Sequence, residues 1–229
     1  MFAATTCLSI WGISAAFEAI AAEDDTALEE IVVTAQRRAQ LLEEVPISVE
    51  VISGKDLEKQ GVQNLKDLQS IVPSLVVSNS GVFTQLSIRG ITSTALGPGI
   101  ENNIAVYVDG FYEPDSSALG SDFANVSDIQ VLKGPQGTLY GRNATGGALL
   151  VNTYEPSDQH PIIEAAAGYG NLEDRRFRTY LATPITEGLS VGLGVYYRAN
   201  QGYIHNIDGS LGSPFRDAEA RFKLKWEPN

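Results

Sequence analysis

Beyond His160 the chain alternates apolar and polar side chains in runs of roughly ten residues, a period of two that restricts it to strands with two unlike faces. Ile163, Ala165, Ala167 and Tyr169 alternate with Glu164, Ala166 and Gly168. Phe177, Thr179 and Leu181 alternate with Arg176, Arg178 and Tyr180. Leu189, Val191, Leu193, Val195 and Tyr197 alternate with Ser190, Gly192, Gly194, Tyr196 and Arg198. In the last run Ala218, Ala220, Phe222, Leu224 and Trp226 alternate with Glu219, Arg221, Lys223, Lys225 and Glu227. Runs of this length suit tilted strands that cross a membrane, one face to lipid and one to a wet lumen. A soluble β-sandwich shows the same period, and the pattern alone leaves both open. Two details favour the membrane. Tyr169 and Trp226 stand near strand ends, where interfacial aromatics belong. The connection at 184–188 is short and that at 199–216 is long, the asymmetry of membrane barrels.

Net charge is −12, so a nucleic-acid partner is not expected, since phosphate binding needs a basic face. No run approaches the ~18 apolar residues of a membrane helix. Cys7 is the single cysteine, and His160 and His205 stand far apart, so neither a disulfide nor a zinc spacing is present; no metal site or cofactor is expected. Residues 7–17 form a short apolar run followed by Ala19, Ala21 and Ala22 and then by Glu23, Asp24 and Asp25. That order reads as a secretion signal cleaved after Ala22. No basic residue precedes the run and Glu18 lies near its end, which a start upstream of Met1 would explain; the alternative is a buried helix.

Between these ends the elements are short and mixed. Ile47 to Val51 alternates like a half-buried strand. Ser53 with Asp56 predicts a helix start, and Gly61 its stop. Asn64 with Asp67 repeats the cap before a second helix that ends ahead of Pro73. Further strands are expected at 74–77, 85–89, 105–108, 128–132 and 148–152, which together describe a small α+β domain. Glycines crowd Lys133, but Lys133 precedes them, so a phosphate loop is rejected; no Gly-x-Ser-x-Gly elbow occurs either.

Upstream, a polar stretch contains one strand-forming island, Glu30, Ile31, Val32, Val33, Thr34 and Ala35. Within a flexible tether it suits addition to another protein's sheet edge. It reads equally well as the first strand of the following domain.

Five motifs then occur in order: 44–49 (Glu-Val-Pro-Ile-Ser-Val), 86–90 (Leu-Ser-Ile-Arg-Gly), 106–110 (Val-Tyr-Val-Asp-Gly), 131–141 (Val-Leu-Lys-Gly-Pro-Gln-Gly-Thr-Leu-Tyr-Gly) and 142–147 (Arg-Asn-Ala-Thr-Gly-Gly). With them the chain resembles the TonB-dependent outer-membrane receptors from about residue 29 onward; Tyr154-Glu155-Pro156 departs from the basic residue frequent before that proline. The resemblance implies a signal at 1–22, a TonB box and flexible linker at 23–43, a plug at 44–156 and the first barrel strands at 157–229. It also implies a barrel of ~22 strands, of which four cannot close, so a partial chain is expected. The gap before the box leaves no room for a folded signalling domain.

By the same resemblance Glu30 to Ala35 would be the segment captured by TonB, driven by ExbB–ExbD. Glu101, Phe111, Tyr112 and Asp115 lie in plug segments expected to face outward and meet ligand. Arg89 and Arg142 would pair with the barrel wall or act as a switch. The implied function is energy-coupled uptake of a scarce bulky nutrient across the outer membrane, an iron–siderophore complex first, with cobalamin, haem or an oligosaccharide as alternatives. A free-standing periplasmic plug module and an ungated porin are rivals. No catalytic constellation suggests an enzyme.

Overall fold

A computed structural model describes residues 32–35, 40–81, 83–93, 95, 97, 99–115, 118–120, 122–157, 159–202, 204–207 and 211–228. The predicted secretion signal lies outside them, as do Glu30 and Ile31. In chain order the elements are β1 (Val32–Val33), β2 (Gln40–Leu41), β3 (Ser48–Ser53), α1 (Gly54–Gln60), α2 (Leu65–Leu68), β4 (Leu75–Ser80), β5 (Phe83–Ile88), β6 (Ile91–Thr92), β7 (Ile104–Val108) and β8 (Phe111–Tyr112). There follow β9 (Val126–Lys133), α3 (Gly137–Tyr140), β10 (Gly147–Thr153), β11 (Ile162–Tyr169), β12 (Arg175–Thr186), β13 (Leu189–Asn200), β14 (Ile204–His205), β15 (Leu211–Gly212) and β16 (Phe215–Trp226).

The α+β region is built on a five-stranded sheet of order β3-β9-β10-β7-β8. β10 and β7 pair in parallel; the other neighbours are antiparallel. Both faces of the sheet are covered, so β7 and β10 read as continuous apolar runs rather than alternating ones. On one face Ile104, Val106, Ile129, Val131, Leu149 and Val151 meet Leu57 of α1, Leu65 and Leu68 of α2, and Leu86 and Ile88 of β5. On the other, Ala105, Tyr107, Leu132, Ala148 and Leu150 meet Tyr140 of α3 and residues near the start of the described chain. The helix starts follow the expected chemistry: Ser53 Oγ accepts from Asp56 N at 3.1 Å, and Asn64 Oδ1 from Asp67 N at 3.1 Å. At the β7–β8 turn Asp109 and Gly110 take φ of 49° and 81°, the paired positive values that favour Asp-Gly in a two-residue hairpin.

Leu149 sits on the central strand with no exposed surface. Leu149→Ala is expected to cost about 2–5 kcal/mol through lost burial and an unfilled cavity. The temperature at which protease begins to cut the α+β region in the whole protein should fall accordingly; an unchanged temperature would remove Leu149 from the core.

The four predicted alternating runs form one antiparallel sheet of order β11-β12-β13-β16. Its register makes the two faces explicit. Ile163, Leu181, Leu193 and Phe222 align in one row across the strands, and all are exposed. The next row is Glu164, Tyr180, Gly194 and Arg221, which turns toward the α+β region. A tight turn joins β12 to β13 at one end of the sheet, and the long connection carrying β14 and β15 joins β13 to β16 at the other. Among the described residues no helix is long and apolar enough to cross a membrane, and the strands supply the apolar face instead.

Candidate functional site

The strand-forming island is not free chain. β1 pairs antiparallel with β2, Val32 opposite Leu41 and Val33 opposite Gln40. Val33 and Ala35 are fully buried against the face formed by Tyr107, Leu132, Tyr140, Ala148 and Leu150. Thr34 N donates to Oε1 of buried Gln130 at 3.2 Å, and Tyr140 Oη donates to the carbonyls of Ala35 and Thr34 at 3.1 and 3.3 Å. Of the stretch 23–43 expected as a flexible tether, Val32–Ala35 lies stowed on the domain and pairs with Gln40–Leu41. The cause is visible in the side chains, because Val33 and Ala35 complete an apolar layer that the sheet would otherwise expose.

Three of the predicted site residues come together elsewhere. Arg142 Nη2 pairs with Glu101 Oε1 at 2.9 Å, and its guanidinium lies 5.3 Å from the centre of the Tyr112 ring. Asn143, at φ 64°, donates from Nδ2 to Tyr112 Oη at 2.7 Å and also to Glu101. The Arg142 side chain remains 68 % exposed. Arg89 Nη2 donates to Ser48 Oγ at 3.3 Å. The contacts seen for Arg89 and Arg142 are thus within the α+β region, not with the four strands. Phe111 is exposed. It follows the Asp109–Gly110 turn, and Asp109 pairs at 3.0 Å with Lys223, near the tight-turn end of β16. Phe111 thus lies toward the tight-turn end of the sheet. Asp115 N donates to Glu113 Oε1 at 3.0 Å in an exposed loop.

The ion pairs between domain and strand wall follow a charge pattern that sequence reading missed: the wall supplies the cations and the domain the anions. Asp122, with its carboxylate 1 % exposed, accepts from Arg198 Nη1 at 3.1 Å and Tyr196 Oη at 2.8 Å, and from Asn64 Nδ2 at 3.3 Å. Arg198 also holds Asp174 at 2.9 Å. Lys223 Nζ reaches Asp109 and the Thr153 carbonyl, each at 3.0 Å, Arg221 reaches the Ala124 carbonyl, and Arg178 pairs with Glu58. The inward position of Arg198 was legible from the period of its strand; nothing in the sequence around Asp122 marks its role. Small residues let the surfaces approach. A side chain at Gly194 would overlap buried Asn125, which is held at φ 53°. Where the domain passes into the wall, burial raises the Tyr154 phenol above its ordinary value, and Glu164 and Glu58 add to the shift.

An α+β domain stowing its own first strand and seated by charge pairs on the polar face of a membrane-type sheet defines a plugged β-barrel architecture. A family model described as the TonB-dependent receptor plug domain matches residues 42–148. The pesticin receptor of Yersinia pestis is 31 % identical over 150 residues, which cover 64 % of this chain and 21 % of that protein. The iron-regulated outer membrane virulence protein of Vibrio cholerae is 28 % identical over 211 residues, 83 % of this chain and 30 % of its own length. The crystal structure of the ferric yersiniabactin uptake receptor FyuA from Yersinia pestis superimposes with a TM-score of 0.72 at 28 % identity, over 80 % of this chain and 29 % of that one. Residues 42–148 are a TonB-dependent receptor plug domain, and the chain is similar to TonB-dependent outer-membrane receptors. It spans less than a third of the length of these relatives.

Proposed function

We propose that this chain provides the plug and first wall strands of a transporter that takes up an iron–siderophore complex across the bacterial outer membrane, energised through TonB and ExbB–ExbD. The observation that carries the reading is a folded plug held by charge pairs, one on the buried Asp122 carboxylate, on the polar face of a sheet whose opposite face exposes a row of large apolar side chains. Relatives named as a pesticin receptor, an iron-regulated outer membrane protein and a ferric yersiniabactin uptake receptor support an iron chelate as the solute. On this reading the tight-turn end of the wall faces the periplasm and the long connection faces outside. The segment at residues 30–35, stowed from Val32 to Ala35, is the coupling strand. Solute bound from outside, with Glu101, Tyr112 and Asp115 as candidate contacts, shifts the plug so that the segment leaves its place. TonB takes it by strand addition, and traction opens a path. No bond in the solute is broken.

The test is uptake of labelled ferric chelates by cells carrying the full-length gene with Val32→Pro. Proline removes a backbone donor needed for strand addition. Energised uptake is expected to be lost while membrane insertion and binding of the chelate at the cell surface persist. Unchanged uptake would show that this segment does not couple.

A further inference from the structure

We infer that Tyr140 is the clasp of the stowed segment and that a run of tyrosine rings ties this clasp to the Arg142–Glu101 pair. The inference rests on the reading of residues 30–35 as the coupling strand and adds which side chains hold it closed. Strand addition needs the segment's backbone groups free. Here the Tyr140 hydroxyl occupies the carbonyls of Thr34 and Ala35, and the Gln130 side chain occupies the Thr34 N–H. Val33 and Ala35 stay buried only while those bonds hold the backbone against the sheet.

Tyr140 is itself positioned from the sheet. The Tyr107 hydroxyl donates to the Tyr140 carbonyl at 2.6 Å, and the two rings meet edge to face with centroids 5.2 Å apart. The Tyr107 ring lies 5.5 Å from that of Tyr112. Tyr112 in turn accepts from Asn143 and carries the Arg142 guanidinium over its face. Each neighbour in this series touches the next, from an exposed guanidinium to the backbone of the buried strand. An anion that draws Arg142 away from Glu101 and off the Tyr112 ring removes one support from that ring, and the displacement passes through Tyr107 to the clasp.

The test uses the full-length protein in isolated outer membranes, with other cysteines removed and Val33→Cys as a reporter. Its labelling by a hydrophilic thiol reagent follows the fraction of time the segment is open. Tyr140→Phe keeps the ring and deletes the donor, and is expected to raise labelling roughly fivefold, the change that corresponds to one ordinary hydrogen bond. Arg142→Gln is expected to raise it by a smaller factor. The double variant is expected to label no faster than Tyr140→Phe, because both changes act on one clasp. A second reporter, Leu149→Cys in the core, should stay unlabelled throughout.

Unchanged labelling in Tyr140→Phe overturns the clasp, as does a rise at both reporters, which signifies general loosening. A double variant whose factor is the product of the single ones overturns the tie to Arg142. None of these readings needs transport, so failure of the clasp and failure of the coupling role tested by Val32→Pro are distinguishable.

Discussion

Replacing Asp122 with alanine is expected to unseat the plug from the first wall strands, weakening that interface by about 3–5 kcal/mol. The size follows from burial. The carboxylate is almost entirely enclosed, and its removal leaves the Arg198 guanidinium, only 17 % exposed, with Asp174 as its remaining carboxylate partner. Tyr196 loses the acceptor for its buried hydroxyl as well. The Arg178–Glu58 pair offers a control across the same interface, because its side chains are 31 % and 43 % exposed. Water and salt screen that pair, and Glu58→Ala should cost about 1 kcal/mol or less. Limited proteolysis of the full-length receptor in detergent would compare the two. Asp122→Ala should expose plug sites that Glu58→Ala leaves protected. Equal protection in both variants would mean that Asp122 does not anchor the plug.

Gly194→Leu should produce a comparable or larger disruption by a steric route. The wall approaches the plug so closely here that a side chain at Gly194 would overlap the amide end of the Asn125 side chain, which is buried and would have to turn aside. Overpacking of a tight contact costs about 1–3 kcal/mol even where neighbours relax, and more where the obstacle is fixed. Replacement on the lipid face provides the contrast. Val195, the next residue, points to the opposite side of β13, so Val195→Leu should leave the plug seated. Entry of a large hydrophilic dye into cells carrying each full-length variant would read the outcome. Gly194→Leu should admit dye and Val195→Leu should not. A sealed Gly194→Leu receptor would mean that the approach is looser than the structure describes.

Legibility in the sequence followed how strongly each element's environment is divided. The wall strands lie between an apolar surface and a polar interior, so their alternation ran unbroken, and Leu181, Leu193 and Phe222 were assigned to one face before their register was known. β7 and β10 are covered on both faces and were legible as apolar runs between glycine-rich turns. The hairpin of β1 and β2 and the two-residue strands β6 and β8 are too short to show any period. For the site, the three consecutive β-branched residues at 31–33 announced extended chain, but nothing local announced that Tyr140, more than a hundred positions away, covers it. Glu101, Tyr112 and Arg142 were each singled out separately, and folding joined them. Asp122 was missed because a buried anion in a loop looks like any solvated one until its partner, 76 residues later in the chain, is placed beside it.

Among the described residues, the ion pairs joining the plug to the wall lie on β12, β13 and β16, strands that leave the ribosome soon after it. Such a plug need not be threaded into a finished cylinder. Pairs to these strands let it dock as soon as they are in place, and so serve as the former against which a wall is laid. On that view the same pairs that seat the plug would first serve as an assembly jig, and their loss would be felt in biogenesis before it was felt in the finished protein.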